Sequence, residues 1–311
     1  MSTTDQPSND VTLQEQLILF YSKMVDWFET CPWYRDDSVV KVIHSLIPAN
    51  PPRVLELCCG TGLLLDSLSQ VLPDTEFVGV DICPTMFERA RERVAQRKNV
   101  AVLNQDWVYG LGPEWNNAFD VIIVKNALHL LSDLPRKLKD LRRVARACNS
   151  LVVVETVSPN VQANRFIRRL FQIVDPAHVK QVFFTERTLM TVLRESGWLL
   201  LPTRPLHVRQ HIDTEDWLEQ KCTDRIAREK ARKLLSSVRN LRIRRAMDFD
   251  SHLGVVPSRM LRLQYVAPHV FRPTVNVRAN VEGTASAGQT FRKCRTQLVD
   301  PAQLVFWSKT L

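Results

Sequence analysis

The chain has 311 residues, 45% of them hydrophobic and 24% charged, a balance that fits a soluble globular protein with an ample core, one domain plus appendages. It contains no apolar run long enough for a membrane span, and its first ten residues, MSTTDQPSND, lack the basic and apolar parts of a secretion signal, so a cytoplasmic location is expected. The formal net charge of +9 is uneven, minus four over residues 1–160 and plus thirteen over residues 161–311. The basic charges are scattered along helices with few interleaved aromatics. A solvated basic face or an anionic small substrate therefore accounts for them better than nucleic acid, which is not expected as a partner. Seven cysteines without any C-x-x-C spacing exclude a zinc ribbon or a thioredoxin-like centre. No metal is expected, and the thiols read as reduced, mostly buried small residues.

Apolar positions at Leu13, Leu17, Leu19, Phe20, Met24, Trp27 and Phe28 give one stripe of a helix that starts near Val11. A second helix, Asp37–Leu46, ends at Pro48, and Pro51-Pro52 break the chain. From Arg53 the pattern alternates as an open parallel α/β sheet should, with strands predicted at 54–58, 76–81, 100–105, 119–124, 150–157 and 198–201. Helices fill the gaps at 61–72, 85–97, 134–147, 161–174 and 186–196. Pro84 suits a first-turn position, where its missing N–H costs nothing, and Asp133 is placed to cap the helix after it. A charged helix is predicted from Glu215 to about Val238, capped by Asp213-Thr214, with Trp217, Leu218, Ile226, Leu234 and Leu235 packing inward. Met260–Val266 alternates as a further strand, with Leu304–Trp307 as its rival for last strand, and 280–290 reads as a flexible linker. The expected organisation is a tail and helical lid over 1–50, the main domain over 51–271 with a helical insertion at about 213–240, and a flexible extension over 272–311.

Chemistry is concentrated in Arg-Val-Leu-Glu-Leu-Cys-Cys-Gly-Thr-Gly (Arg53 to Gly62) and Glu-Phe-Val-Gly-Val-Asp (Glu76 to Asp81). A buried strand runs into a glycine-bearing turn and a helix, and the next strand ends on a lone carboxylate about twenty residues on, a layout that cradles a nucleoside-type cofactor. Dinucleotide folds place a third glycine where pyrophosphate meets the helix; here that position carries Leu65. Glu56 also puts a negative charge where pyrophosphate would be repelled and a cationic amino-acid group held.

These segments resemble motif I and its neighbours in class I S-adenosylmethionine-dependent methyltransferases, in particular the ubiquinone and menaquinone type, with Cys58 standing where the first glycine is usual. The resemblance covers roughly residues 17–270, strongly over 53–131. It implies a seven-stranded, mostly parallel, doubly wound Rossmann-like α/β sheet with a reversed last strand, an N-terminal helical lid and a helical insertion before that strand. S-adenosylmethionine is the implied cofactor. Its expected contacts are Glu56, Leu57, Cys58, Gly60 and Gly62 of the loop, Asp81 on the ribose, Ile82 and Met86 as adenine walls, and Asp106 with Trp107 at the adenine amino group. Lys125 and Asn126 would meet the methionine part, and Tyr21 would reach over from the lid. Trp33 and Tyr34 are substrate-side candidates.

Because a sulfonium already activates the methyl group, the protein needs chiefly to align the acceptor and exclude water, with a general base where the acceptor is an oxygen. His129 stands at a strand end where it can be that base, and its Asn-Ala-Leu-His stretch can equally serve to position the following helix. His178, His207 and His211 can instead recognise an acid group. No Asn-Pro-Pro-Tyr or Asp-Pro-Pro-Tyr follows the fourth strand, which argues against methylation of nucleobase or glutamine amines. The expected activity is methyl transfer to an oxygen or nitrogen of a small molecule, in specialised metabolism. The alternatives are methylation of tRNA or protein, or an inactive cofactor-binding scaffold.

Overall fold

The computed structural model describes residues 13–273 except 31–33, 36, 48–49, 108–110, 132, 159, 175–183, 201–206, 214, 216–217, 220–221, 223 and 248–259. In chain order the elements are α1 (Leu13–Thr30), α2 (Asp37–Leu46), β1 (Arg53–Leu57), α3 (Leu63–Val71), β2 (Glu76–Asp81), α4 (Pro84–Arg93), β3 (Val100–Asn104), β4 (Phe119–Lys125) and α5 (Leu134–Val144). They continue with β5 (Ala145–Ser158), α6 (Val161–Val174), β6 (Phe184–Thr185), α7 (Glu186–Glu195), β7 (Trp198–Leu200), β8 (His207–Asp213), α8 (Arg225–Ser236), α9 (Leu241–Met247) and β9 (Met260–Pro273).

The central sheet is parallel in the order β3-β2-β1-β4-β5, so the strand order reverses between β1 and β4 and their carboxyl ends flank a crevice. The fold is an α/β, Rossmann-like fold. Alternate residues of these strands go to opposite faces, as the two-residue period of a strand requires. Leu55, Leu57, Ile122, Val124, Leu151 and Val153 join Leu138 of α5 and Leu189 and Leu193 of α7 in one core. Val54, Val121, Ile123, Val152 and Val154 join Ile43 of α2 and Leu64, Leu65 and Leu68 of α3 in the other. Trp198 is fully buried in the first core and still satisfies its indole, which donates to the Leu138 carbonyl at 2.9 Å.

Beyond β5 the sheet continues through β9, which pairs antiparallel with β5, β7 and β8, while β6 adds a short parallel pairing to β5. The described residues thus hold nine strands rather than seven. The two additions escape sequence reading for physical reasons: β6 has only two residues, and β8, His-Val-Arg-Gln-His-Ile-Asp, has just two apolar residues, too faint a pattern to read without its pairing with β9.

Strand β8 also corrects the reading of the insertion. Asp213 is its last residue, and the helix-capping role falls to Asp224, whose carboxylate accepts the N–H groups of Ile226 and Ala227 at 3.0 Å each. Leu218, Ala231 and Leu235 pack on Phe166 and Leu170 of α6, but Ile226 is 61% exposed and does not join that cluster. Asp133 occupies the cap position of α5 in a left-handed conformation (φ 47°) without a side-chain capping bond. Helix α5 stops at Val144, because Ala145 is already extended and opens β5. On α1, Leu19 is 57% exposed, off the buried stripe. Trp217, His178 and the proposed extension beyond Pro273 lie outside the described residues. No helix among the described residues is long and apolar enough to cross a membrane.

Candidate active site

The turn after β1 passes through three left-handed residues, Cys58 (φ 54°), Gly60 (φ 56°) and Gly62 (φ 74°). That conformation costs a side chain about 1–2 kcal/mol. Cys58 bears this cost at a position where glycine would not. Gly62 leads into α3, and a Cβ there would lie 3.0 Å from the Ala90 Cβ and 3.1 Å from its Cα, so bare backbone is required for α4 to close on the turn. A Cβ on Gly60 would meet the Tyr34 hydroxyl, which itself accepts the Thr61 N–H at 3.4 Å.

Asp81, at the end of β2, is 8% exposed and braces the same turn. One carboxylate oxygen accepts the Gly60 N–H at 2.8 Å and the other the Cys83 N–H at 2.9 Å. Burial raises its pKa, and the two backbone donors hold the rise back. Each oxygen retains a lone pair, enough for two further hydroxyl donors.

Glu56 lies on β1 at 3% exposure, and its Oε2 is buried without a hydrogen-bond partner. Leaving such an atom unsatisfied costs about 1–3 kcal/mol, and the cause of retaining it is best sought in a ligand. Burial pushes the Glu56 carboxyl up to about 8, against the pull of Lys125 and with the push of Asp81. Between its ordinary value of 4.5 and about 8 the folded protein holds a proton that the unfolded chain releases, so this group lowers stability as pH rises through that window. A bound cation prefers the ionised form. The affinity for a cationic amino-acid ligand is therefore expected to rise about tenfold per pH unit up to about 8 and then level off. Calorimetric titration with S-adenosylmethionine from pH 6 to 9 checks this, and a flat profile would remove Glu56 from the site.

Lys125, at the end of β4, sits over the Tyr34 ring at 4.6 Å from its centroid and donates to the Tyr34 carbonyl at 3.4 Å. Tyr34 in turn packs edge-on against Phe28 of α1, at 4.9 Å between ring centroids. Met24, Val25 and Phe28 of α1 form one buried cluster with Cys83 and Met86, and Tyr21 and Tyr34 pack against it. Polar ties help hold this cover in place. Gln14 donates to an Asp106 carboxylate oxygen at 3.1 Å, and Arg93 of α4 donates to the Thr61 carbonyl at 2.8 Å while pairing with Glu29 of α1.

The structure thus gathers Glu56, Cys58, Gly60, Gly62, Asp81 and Lys125 about the turn after β1, with Tyr21 and Met86 in the cover cluster beside it. The Tyr34 hydroxyl lies at the glycine loop. Leu57 and Trp107 turn their side chains into the core, so Leu57 can meet a ligand only through its backbone. Ile82 is half-buried, and Asn126 takes the left-handed conformation (φ 51°) with its N–H on the Val154 carbonyl at 2.7 Å. Trp33 lies outside the described residues, and His207 and His211 fall on β8. The thiols of Cys58 and Cys59 are driven upward by burial, which leaves them un-ionised and poor nucleophiles. Among the described residues no group of three His, Cys, Asp or Glu side chains is placed to hold a metal ion.

Sequence reading missed Glu155. Its carboxylate accepts the Leu128 N–H at 2.9 Å and meets His129 Nδ1 at 2.7 Å. The signal was a lone carboxylate in the apolar run Val-Val-Val-Glu-Thr-Val, the same signal that singled out Glu56.

Residues 54–147 match the family model described as "Methyltransferase domain", over the same stretch that builds the turn, β2 and the end of β4. Over residues 54–147 the chain carries a methyltransferase domain. Among its distant relatives is a demethylmenaquinone methyltransferase of Thermotoga maritima, 30% identical over 131 residues that make up 42% of this chain and 54% of that protein. Another protein of that name, from Symbiobacterium thermophilum, is 34% identical over 119 residues, 37% of this chain and 46% of that one. A malonyl-[acyl-carrier protein] O-methyltransferase of Legionella pneumophila is 24% identical over 152 residues, 48% of this chain and 52% of its own. The chain spans about half the length of the curated relatives it matches. The fold is similar to that of the YcgJ protein from Bacillus subtilis, with a TM-score of 0.66 and 17% identity over 77% of this chain and 100% of that one.

The methyltransferase domain implies S-adenosylmethionine as cosubstrate, and the residues present fit it. The unpartnered Glu56 oxygen lacks a donor, and the amino group of the methionine part is one.

Proposed function

We propose that the protein transfers a methyl group from S-adenosylmethionine to an oxygen or nitrogen of a small molecule. The observation that carries this reading is the pairing of a buried, unsatisfied Glu56 oxygen with the braced Asp81 carboxylate on either side of one left-handed turn. When bound, the cosubstrate supplies a methyl group already activated for displacement. The protein's own residues do the rest. Glu56 holds the amino group, Asp81 takes the ribose hydroxyls, Met86 and Ile82 wall the adenine, and α1 with Tyr34 excludes water from above. Asp106 is assigned to the adenine amino group, Lys125 and Asn126 to the methionine part, and Tyr21 to the cover. The region 1–50 acts as a lid on the 51–271 domain, and β9 serves as the reversed last strand of the fold, with the helices after β8 as the insertion that shapes acceptor choice. A role in specialised metabolism is part of the same proposal.

The test is transfer of labelled methyl from S-adenosylmethionine into a cell extract whose products are sorted by size. Label is expected in small molecules. Label confined to RNA or protein would overturn the small-molecule reading, and cofactor binding without any transfer would mark an inactive scaffold.

A further inference from the structure

Glu155 lies near the carboxyl end of β5, 1% exposed, while the His129 side chain keeps 22% of its surface exposed on the single 3-10 turn Leu128–Leu130 after β4. The register of the two strands brings them together, since Lys125 pairs with Val154 and places Glu155 beside the first residues beyond β4. The carboxylate is held at both ends. Its Oε2 accepts the Leu128 N–H, and Oε1 lies 2.7 Å from His129 Nδ1.

A carboxylate that accepts at both oxygens requires a proton on Nδ1, and the tautomer this selects has a bare lone pair on Nε2. Nε2 is the ring atom turned away from the buried carboxylate. The dyad therefore carries the elements of a general base: an acceptor atom, a fixed ring and a counter-charge for the imidazolium that forms.

Resting on the methyl-transfer reading above, we infer that Glu155 is a positioning residue that sets His129 as the base for a hydroxyl-bearing acceptor, so that the product is an O-methyl compound. The acceptor oxygen bonds to the methyl carbon as the carbon–sulfur bond breaks and its electron pair stays on sulfur. The hydroxyl proton passes to His129 Nε2. One positive charge vanishes at sulfur and one appears on the imidazole beside Glu155, so the charge of the site is conserved. An amine acceptor needs no such partner in this step, because it attacks as the neutral base and its product can keep the positive charge. A hydroxyl without a base would form a strongly acidic oxonium.

The primary measurement is the long-range proton–nitrogen spectrum of the full-length protein with labelled histidine, His129 being identified by the signal lost in His129→Gln. The wild type is expected to show a protonated Nδ1 and a bare Nε2. Glu155→Gln has a single acceptor oxygen, and with that oxygen on the Leu128 N–H its amide donates to Nδ1 and shifts the proton to Nε2. This variant should incorporate label from methyl-13C S-adenosylmethionine into the small-molecule fraction of a cell extract roughly a hundredfold more slowly, with cofactor affinity unchanged. The labelled methyl should resonate in the O-methyl region. A protonated Nε2 in the wild type, an unchanged rate in a folded Glu155→Gln protein, or an N-methyl product would each overturn the inference and leave methyl transfer standing. Absence of any labelled small molecule would overturn both.

Discussion

Replacing Asp81 with alanine is expected to weaken S-adenosylmethionine binding by about a hundredfold and to destabilise the fold at the same time. The affinity loss follows from the charge-assisted bonds assigned to the ribose hydroxyls, worth about 1.5–3 kcal/mol, or roughly one to two decades. The stability loss has a separate origin. Asp81 accepts the N–H groups of Gly60 and Cys83, and alanine leaves both without that partner beside the buried turn, at about 1–3 kcal/mol each where water cannot enter. Asp81→Asn separates the two effects, because an amide keeps one acceptor oxygen for the turn and loses the charge. Its turnover should recover at saturating cofactor, the behaviour of a residue that contributes uniform binding, whereas Asp81→Ala should recover less because the turn itself has loosened. Calorimetry for affinity and urea denaturation for stability check the pair. Unchanged affinity in a folded Asp81→Ala protein would mean that β2 does not end at the ribose.

The second large effect is expected at Gly62. Gly62→Val forces a β-branched residue into a left-handed conformation, at about 1–3 kcal/mol, and drives its Cβ against the Ala90 backbone of α4, at about 1–3 kcal/mol more. The sum, about 4 kcal/mol, is a large part of a typical domain stability of about 5–15 kcal/mol. Gly60→Ala shares the left-handed backbone but meets only the end of the Tyr34 side chain, which can withdraw. It should therefore lose far less stability while freeing Tyr34 from the loop. The midpoints of urea denaturation for the two variants decide this, and a Gly62→Val midpoint equal to that of Gly60→Ala would contradict the packing account.

The parallel core and the cofactor turn were legible in the sequence for one reason: apolar strands that end on a single carboxylate or glycine stand out against their neighbours. Glu56 and Asp81 are such interruptions, and burial to 3% and 8% exposure is what makes them informative. Glu155 carried the same signal at 1% exposure but is separated from His129 by twenty-six positions, and only the β4–β5 register joins them. Tyr34 reads as a substrate-side candidate, and its contact with Gly60 depends on how the N-terminal segment docks, which no local pattern records. Strand β8 was invisible because its hydrogen bonds come from β9 and it carries only two apolar residues, Val208 and Ile212. The helix cap moved from Asp213 to Asp224 as a direct consequence.

The arrangement also explains why cysteine serves in this turn. Cys58 takes the left-handed backbone at the cost of strain, and Cys59 is 2% exposed in the core with its N–H on the Val80 carbonyl at 3.1 Å. Both act as small apolar packing groups rather than as chemistry.

The central claim is that Glu56 and Asp81 frame a site for an amino-acid nucleoside rather than a dinucleotide. One isothermal titration series tests it most directly: the full-length protein at pH 8 against S-adenosylmethionine, its demethylated product and NAD. Saturable one-to-one binding of the first two in the micromolar range, with no heat from NAD, is the predicted result; tighter binding of NAD than of either would contradict it.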